Sequence, residues 1–197
     1  MSKIEKTLST LSTLGTPGTF FLSLLLHVNK NVMKQDKSIS FNYKEFDKPE
    51  DLDPADLELL TNAREIALNA YAPYSGFMVG AALRLESGTI VAGTNVENAA
   101  FPSGICAERN AISNASANHP GDRPVALAIA AFSGEDHSAE PVSPCGNCRQ
   151  VIAEEEFRIR RNIRIILGGK NKIRIIESGS DLLPLQFNSD CLKVNRR

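Results

Sequence analysis

Apolar residues recur at helical spacing after Asp53. Leu59, Leu60, Ala63, Ile66, Ala67 and Ala70 fall on one face, which predicts an amphipathic helix over residues 54–70. Asp53 and Pro54 supply an N-cap and a proline at the first helical position. Ala72-Pro73-Tyr74-Ser75-Gly76 breaks the helix, and the pattern then shifts to strands. Met78–Leu85 and Thr89–Gly93 read as two strands joined through Glu86-Ser87-Gly88, a connection so short that they must form an antiparallel hairpin. Cys106–Ala117 reads as a second helix, Val125–Phe132 (VALAIAAF) as a buried strand and Cys145–Phe157 as a third helix. Ile163–Leu167 and Ile173–Glu177 are two further strands. The Gly168-Gly169-Lys170-Asn171 turn between them is too short for a parallel crossover, so they also pair antiparallel. The expectation is an α/β protein with a mixed five-stranded sheet and helices packed on it.

Residues 38–53 are polar and acidic with scattered aromatics, an extended lead-in to a globular part that begins near Ser38. The first 37 residues differ. Residues 1–18 are rich in Ser, Thr and Gly, and Phe20–Val28 (FFLSLLLHV) is almost wholly apolar. That run is about half the length a bilayer-spanning helix needs. Lys3 and Lys6 precede it as in a signal peptide, yet no small-x-small cleavage pattern follows. Residues 1–37 are therefore read as an N-terminal extension, disordered or weakly docked, with Met33 as a candidate true start. A short helix covering an apolar patch and a targeting role are the alternatives. Residues 38–197 are read as one domain.

Composition narrows the function. A chain of 197 residues suits a single domain, and 42% hydrophobic with 23% charged residues is ordinary for a soluble globular protein. The net charge of −1 gives no global attraction to nucleic acid. Four cysteines are too few for a disulfide scaffold. A CxxC whose thiols must stay reduced to bind metal points to a reducing compartment, the cytoplasm.

Cys106-Ala107-Glu108 and Pro144-Cys145-Gly146-Asn147-Cys148 carry the chemistry. Three thiolates fill three corners of a zinc tetrahedron and leave the fourth open, as in catalytic rather than structural sites. Cys145 and Cys148 share a helix face, and predicted helix starts at Cys106 and Cys145 favour the thiolate form. Glu108, two residues from a ligand, can reach a zinc-bound water and shuttle its protons. Three thiolates on Zn²⁺ leave a net charge of about −1, which a nearby cation would offset. Arg109 and Arg149, each directly following a site residue, are the candidates. A closed structural zinc site would need a fourth ligand. Cys191 in the C-terminal tail and His27, His119 and His137 lie in no ligand-like pattern.

These residues resemble cytidine deaminase, of the small three-cysteine, homotetrameric type within the cytidine/deoxycytidylate deaminase superfamily. The resemblance runs from Tyr71 to Phe187. Its blocks are YAPYSGFMVGAA at 71–82, TNVENAAF at 94–101, CAER at 106–109, PCGNCRQ at 144–150 and LLPLQF at 182–187. It implies a three-layer α/β/α fold and one zinc per chain held by Cys106, Cys145 and Cys148. It further implies hydrolytic deamination of cytidine and 2′-deoxycytidine at C4, with Glu108 as proton shuttle, in pyrimidine salvage. Asn95 and Glu97 would bind the ribose 3′-hydroxyl, Phe77 would pack on the base and Ala107 would join the substrate site. Phe187 would reach the site of a neighbouring subunit in a homotetramer. Phe101 stands where many relatives carry tyrosine, which removes one hydroxyl from the sugar or interface region.

Three rivals share some of these features. A deaminase of a blasticidin-type antibiotic would keep the zinc site and leave Asn95 and Glu97 without a reason. A polynucleotide editor would usually carry histidine at the Cys106 position and a positive groove. Arg158, Arg160, Arg161, Arg164, Lys170, Lys172 and Arg174 do cluster, but Glu154–Glu156 precede them, so they read as a solvated edge. A zinc-stabilised binding module would have no use for Glu108.

Overall fold

The computed structural model describes residues 35–134 and 136–192. The expectations for Phe20–Val28 and Met33 lie outside the described residues. In chain order the regular elements are β1 (Lys44–Phe46), α1 (Pro54–Ala67), β2 (Phe77–Leu85), β3 (Ile90–Thr94), α2 (Ala107–Asn118), β4 (Pro124–Ser133), β5 (Asp136–His137), α3 (Gly146–Ile159), β6 (Arg164–Gly168) and β7 (Ile173–Ile176). They form one sheet in the order β1-β7-β6-β4-β2-β3, with β5 paired to β4. Every pairing is antiparallel except β4 with β6, which α3 connects as a crossover. Asp53 occupies the N-cap of α1 and Pro54 its first position, as expected.

All five expected strands are present to within a residue or two, and the mixed α/β class holds. The count is corrected to seven. The additional strands are short, and β1 shows no apolar alternation: it pairs with β7 through its backbone, packs Phe46 on the core and is flanked by ion pairs. Lys44 pairs with Glu177, and Glu45 takes both Lys172 and Arg174. The lead-in before α1 is therefore a sheet edge in part.

Strand β4 sets the spacing of the layers. Leu127 and Ile129 point to one face, with Ala81, Leu83, Ile165 and Leu167 from the neighbouring strands, and α2 and α3 pack there. Ala126, Ala128 and Ala130 point to the other, where Leu59, Leu60 and Ala63 of α1 cover them. Large residues hold two helices at ordinary distance, whereas small ones let a single helix come close. Gly80 completes that contact. A Cβ there would lie 2.1 Å from the Ala63 carbonyl oxygen and 2.6 Å from the Ala67 nitrogen.

The same device fixes α2. A Cβ on Gly93 would lie 2.4 Å from the Ala111 nitrogen and 2.8 Å from the Ala107 carbonyl oxygen, both backbone atoms that move only with the helix. At the far end of α3, buried Glu156 accepts from the backbone N–H groups of Ile163, Gly179 and Ser180 and from the Ser178 and Ser180 hydroxyls. One carboxylate thus joins α3 to the start of β6 and to the turn after β7.

The basic cluster is committed to its neighbours. Arg158 pairs with Glu155, Arg161 with Glu86, Arg164 with Asp56 and Glu177, and Lys170 with Asp136. Lys172 and Arg174 hold Glu45, and Arg160 lies over the Phe157 ring.

Replacing Gly93 with alanine pushes α2 off the sheet. Overpacking against backbone of this kind costs about 3 kcal/mol. A Gly93→Ala variant is expected to show a correspondingly lower midpoint in urea unfolding, with little change in the slope.

Candidate active site

Two helix N-termini meet on one side of the sheet. Cys106 is the N-cap residue of α2 and Cys145 that of α3, both in extended backbone conformation, and Cys148 lies in the first turn of α3. The Sγ atoms of Cys106 and Cys145 are 3.9 Å apart and those of Cys145 and Cys148 3.5 Å, with all three within 4.8 Å of one another. Tetrahedral zinc with bonds of about 2.3 Å sets its sulfur ligands about 3.8 Å apart. The donor set therefore fits zinc in identity and in spacing, and all four cysteines, Cys191 included, are free of disulfides. Among the described residues no fourth ligand atom joins the cluster. Cys191 is exposed and makes its contact with Asn188, and the imidazole of His137 stacks against Phe132.

Protonation shows what the cluster lacks without a cation. Burial pushes the Cys106 thiol up, and burial with the nearby Glu108 charge pushes Cys148 far up. Burial acts the same way at Cys145, but the Cys148 and Asn147 backbone N–H groups and the adjacent thiols outweigh it and hold that pKa down. Three thiolates this close repel one another, and a divalent cation converts the repulsion into binding.

Glu108 is buried in the first turn of α2 and stands outside the sulfur cluster. Burial raises its pKa, and a hydrogen bond with Cys148 offsets part of the rise. A buried carboxyl of raised pKa holds and releases a proton more readily than an exposed one. Of the two arginines, Arg149 donates to the carbonyls of Pro144 and Leu182, bracing the turn that presents Cys145. Arg109 is half-buried in the first turn of α2.

Cys106, Ala107, Glu108 and Cys145 open into a cavity of about 690 Å³ that Phe77, Asn95 and Glu97 also line. Cys148 lies fully buried behind the wall. Phe101, 75% exposed, stands at the mouth with its ring 5.9 Å from that of Tyr74 in an edge-on contact. Phe187 does not line the cavity. It is 57% exposed, and its carbonyl accepts from Gln150.

Asn95 and Glu97 are largely occupied by the protein itself. The Asn95 amide oxygen accepts from the Val79 N–H at 2.7 Å and its amide nitrogen donates to the Phe77 carbonyl at 2.9 Å. One N–H remains. The Glu97 carboxylate accepts from the Tyr74 and Ser75 N–H groups on Oε2 and from the Ser75 hydroxyl on Oε1. These donors, the Ser75 hydroxyl foremost, hold its pKa below the usual range. Three of its roughly four acceptor directions are filled, so one remains. Together the two side chains keep a donor on Asn95 and acceptor capacity on both, enough to satisfy a single hydroxyl group.

Sequence reasoning gave no role to Ser75, Ile129 or Ser143, all of which line the cavity. For Ser75 a signal existed: serine in a Pro-Tyr-Ser-Gly turn bonds readily to backbone two residues on, and its oxygen accepts from the Phe77 N–H. Ile129 and Ser143 carried none.

Comparison with known proteins agrees with this geometry. The model of the cytidine and deoxycytidylate deaminase zinc-binding region matches residues 54–164, more than half of the chain. A cytidine deaminase of Mycobacterium tuberculosis is 37% identical over 139 residues, 69% of this chain and 92% of the relative. One of Sporosarcina psychrophila is 47% identical over 98 residues, 49% of this chain and 67% of the relative. The crystal structure of cytidine deaminase from Burkholderia pseudomallei superposes with a TM-score of 0.57 at 37% identity, covering 66% of this chain and 97% of that one. The chain belongs to the cytidine and deoxycytidylate deaminase family, and its three-cysteine cluster is the zinc site of that family.

Metal loading should mask three of the four thiols. Native protein carrying one zinc per chain is expected to present one thiol to a disulfide reagent, that of Cys191, and four after unfolding with a chelator. Protons compete with the metal for sulfur, so chelators should strip zinc faster at pH 5 than at pH 8.

Proposed function

We propose that this protein hydrolyses cytidine and 2′-deoxycytidine to uridine and 2′-deoxyuridine, releasing ammonia, and so serves pyrimidine salvage. The observation that carries the reading is the open three-sulfur cluster with buried Glu108 beside it, on the wall of a cavity of nucleoside size.

Zinc held by Cys106, Cys145 and Cys148 supplies, when bound, the acidification that makes water a nucleophile at neutral pH. Glu108 takes a proton from the attacking water and gives it to ring N3 as the new C–O bond forms at C4. It then carries the second proton of that water from the new C4 hydroxyl to the departing amino group, so that the C–N bond breaks with ammonia as the leaving group and the C4 carbonyl forms. Phe77 and Ala107 bound the space for the base. Asn95 donates to the 3′-hydroxyl and Glu97 accepts from it, matching the donor and acceptor they retain. Arg109 and Arg149, at the starts of α2 and α3, offset the surplus charge of three thiolates.

The oligomer belongs to the same reading. Tyr71, Tyr74, Phe101, Leu185 and Phe187 are each more than half exposed, an apolar surface suited to further copies of the chain. Phe187, exposed and outside its own cavity, is assigned to the site of a neighbouring subunit. Residues 38–197 form the deaminase domain and residues 1–37 the extension. A cytoplasmic setting keeps the thiols reduced. Among the described residues no helix is long and apolar enough to cross a membrane.

Purified protein is expected to bleach the ultraviolet band of cytidine and of deoxycytidine and to carry about one zinc per chain. Glu108→Gln keeps the metal and the fold and loses activity by about a thousandfold or more. Full activity in that variant would remove Glu108 from the reaction, and zinc without turnover of either nucleoside would overturn the substrate assignment. Light scattering should return about four times the 21.4 kDa chain mass.

A further inference from the structure

The Ser75 hydroxyl sits between two residues assigned to the substrate. It lies 2.5 Å from Glu97 Oε1 and 3.0 Å from the Phe77 nitrogen. A backbone N–H can only donate and a carboxylate only accepts, so the hydrogens have one arrangement. The Phe77 N–H donates to Ser75 Oγ, and Ser75 O–H donates to Glu97. Hydrogen bonds running in one direction polarise each other and stiffen the chain of groups.

Among the described residues no other hydrogen bond falls on Glu97 Oε1. The remaining bonds, from the Tyr74 and Ser75 N–H groups, fall on Oε2 and leave the carboxylate free to swing about that oxygen. The Ser75 hydroxyl therefore fixes the plane of the carboxylate and the direction of its remaining acceptor position. Through the Phe77 N–H it also ties that plane to the first residue of β2, whose ring lines the same cavity.

We propose that Ser75 is a positioning residue for sugar recognition, whose hydroxyl orients Glu97 toward the substrate 3′-hydroxyl and couples it to the base-side residue Phe77. This rests on the reading that Asn95 and Glu97 take that hydroxyl. The contact is remote from C4 and equal in ground and transition states, so its loss appears in KM rather than in kcat.

The test compares cytidine with 3′-deoxycytidine in the zinc-loaded protein and in the variants Ser75→Ala and Ser75→Thr. Ser75 is exposed, so both variants are expected to fold with an unchanged melting temperature. Ser75→Ala should raise KM for cytidine about tenfold, the size expected for a charge-assisted hydrogen bond, and leave kcat within about threefold. KM for 3′-deoxycytidine should move less than about twofold in the same variant, because its substrate has nothing to offer Glu97. Ser75→Thr, which keeps the hydroxyl, should restore most of the cytidine KM. Equal losses on both substrates, or no loss on either, would overturn the inference while leaving the sugar site intact. Indifference of the unaltered protein to the missing 3′-hydroxyl would instead refute the sugar site, and the role of Ser75 with it.

Discussion

The distance between the Cys106 and Cys145 sulfurs, 3.9 Å, is set by two helices that share no turn of chain. Everything else in the structure holds those helices where they are. At one side, Gly93 lets the first turns of α2 rest directly on β3. At the other, Glu156 gathers backbone donors from three residues and anchors the far end of α3. Each helix thus presents its N-terminus, with its unpaired N–H groups, at a fixed place. Thiolates, a metal ion and a buried carboxyl then find a field suited to them.

The cavity follows from the same geometry. Strands β2 and β3 end beside the helix starts, so Phe77, Asn95 and Glu97 arrive opposite Glu108 without any long loop to carry them. Short connections make the wall rigid. Asn95 and Glu97 first serve the protein, bonding to Phe77, Val79, Tyr74 and Ser75, and only the capacity left over faces the cavity. Such preorganisation lowers the ordering that binding would otherwise require.

Much of this was readable in the sequence where the governing interactions are local or periodic. The unbroken apolar run VALAIAAF located β4 as a buried strand, and helical spacing with Asp53-Pro54 located α1. Cys106, Glu108, Cys145 and Cys148 were legible because the metal demands fixed spacings within each helix turn. Strand β1 was not. Its three residues, Lys-Glu-Phe, are too few to show a strand period, and their pairing with β7 and ion pairs to Glu177, Lys172 and Arg174 reach more than a hundred residues along the chain. Strand β5, two residues long, exists only because β4 runs on to meet it. Ser75 was within a recognised motif, but its bond to Glu97 spans the strand ends, a contact that periodicity does not encode.

The separation of the ligands along the chain has a mechanical side. Cys106 and Cys145 are 39 positions apart, and the intervening segment contains α2 and the central strand β4. A cation gripping both ends acts as a cross-link around that segment. By the chain-entropy account, closing a loop of that length restricts the unfolded chain by about 4 kcal/mol. The ion that the site requires for chemistry is then also a staple across the middle of the sheet. Folding and metal supply are then linked, and loss of the metal lowers the stability of the protein as well as its rate.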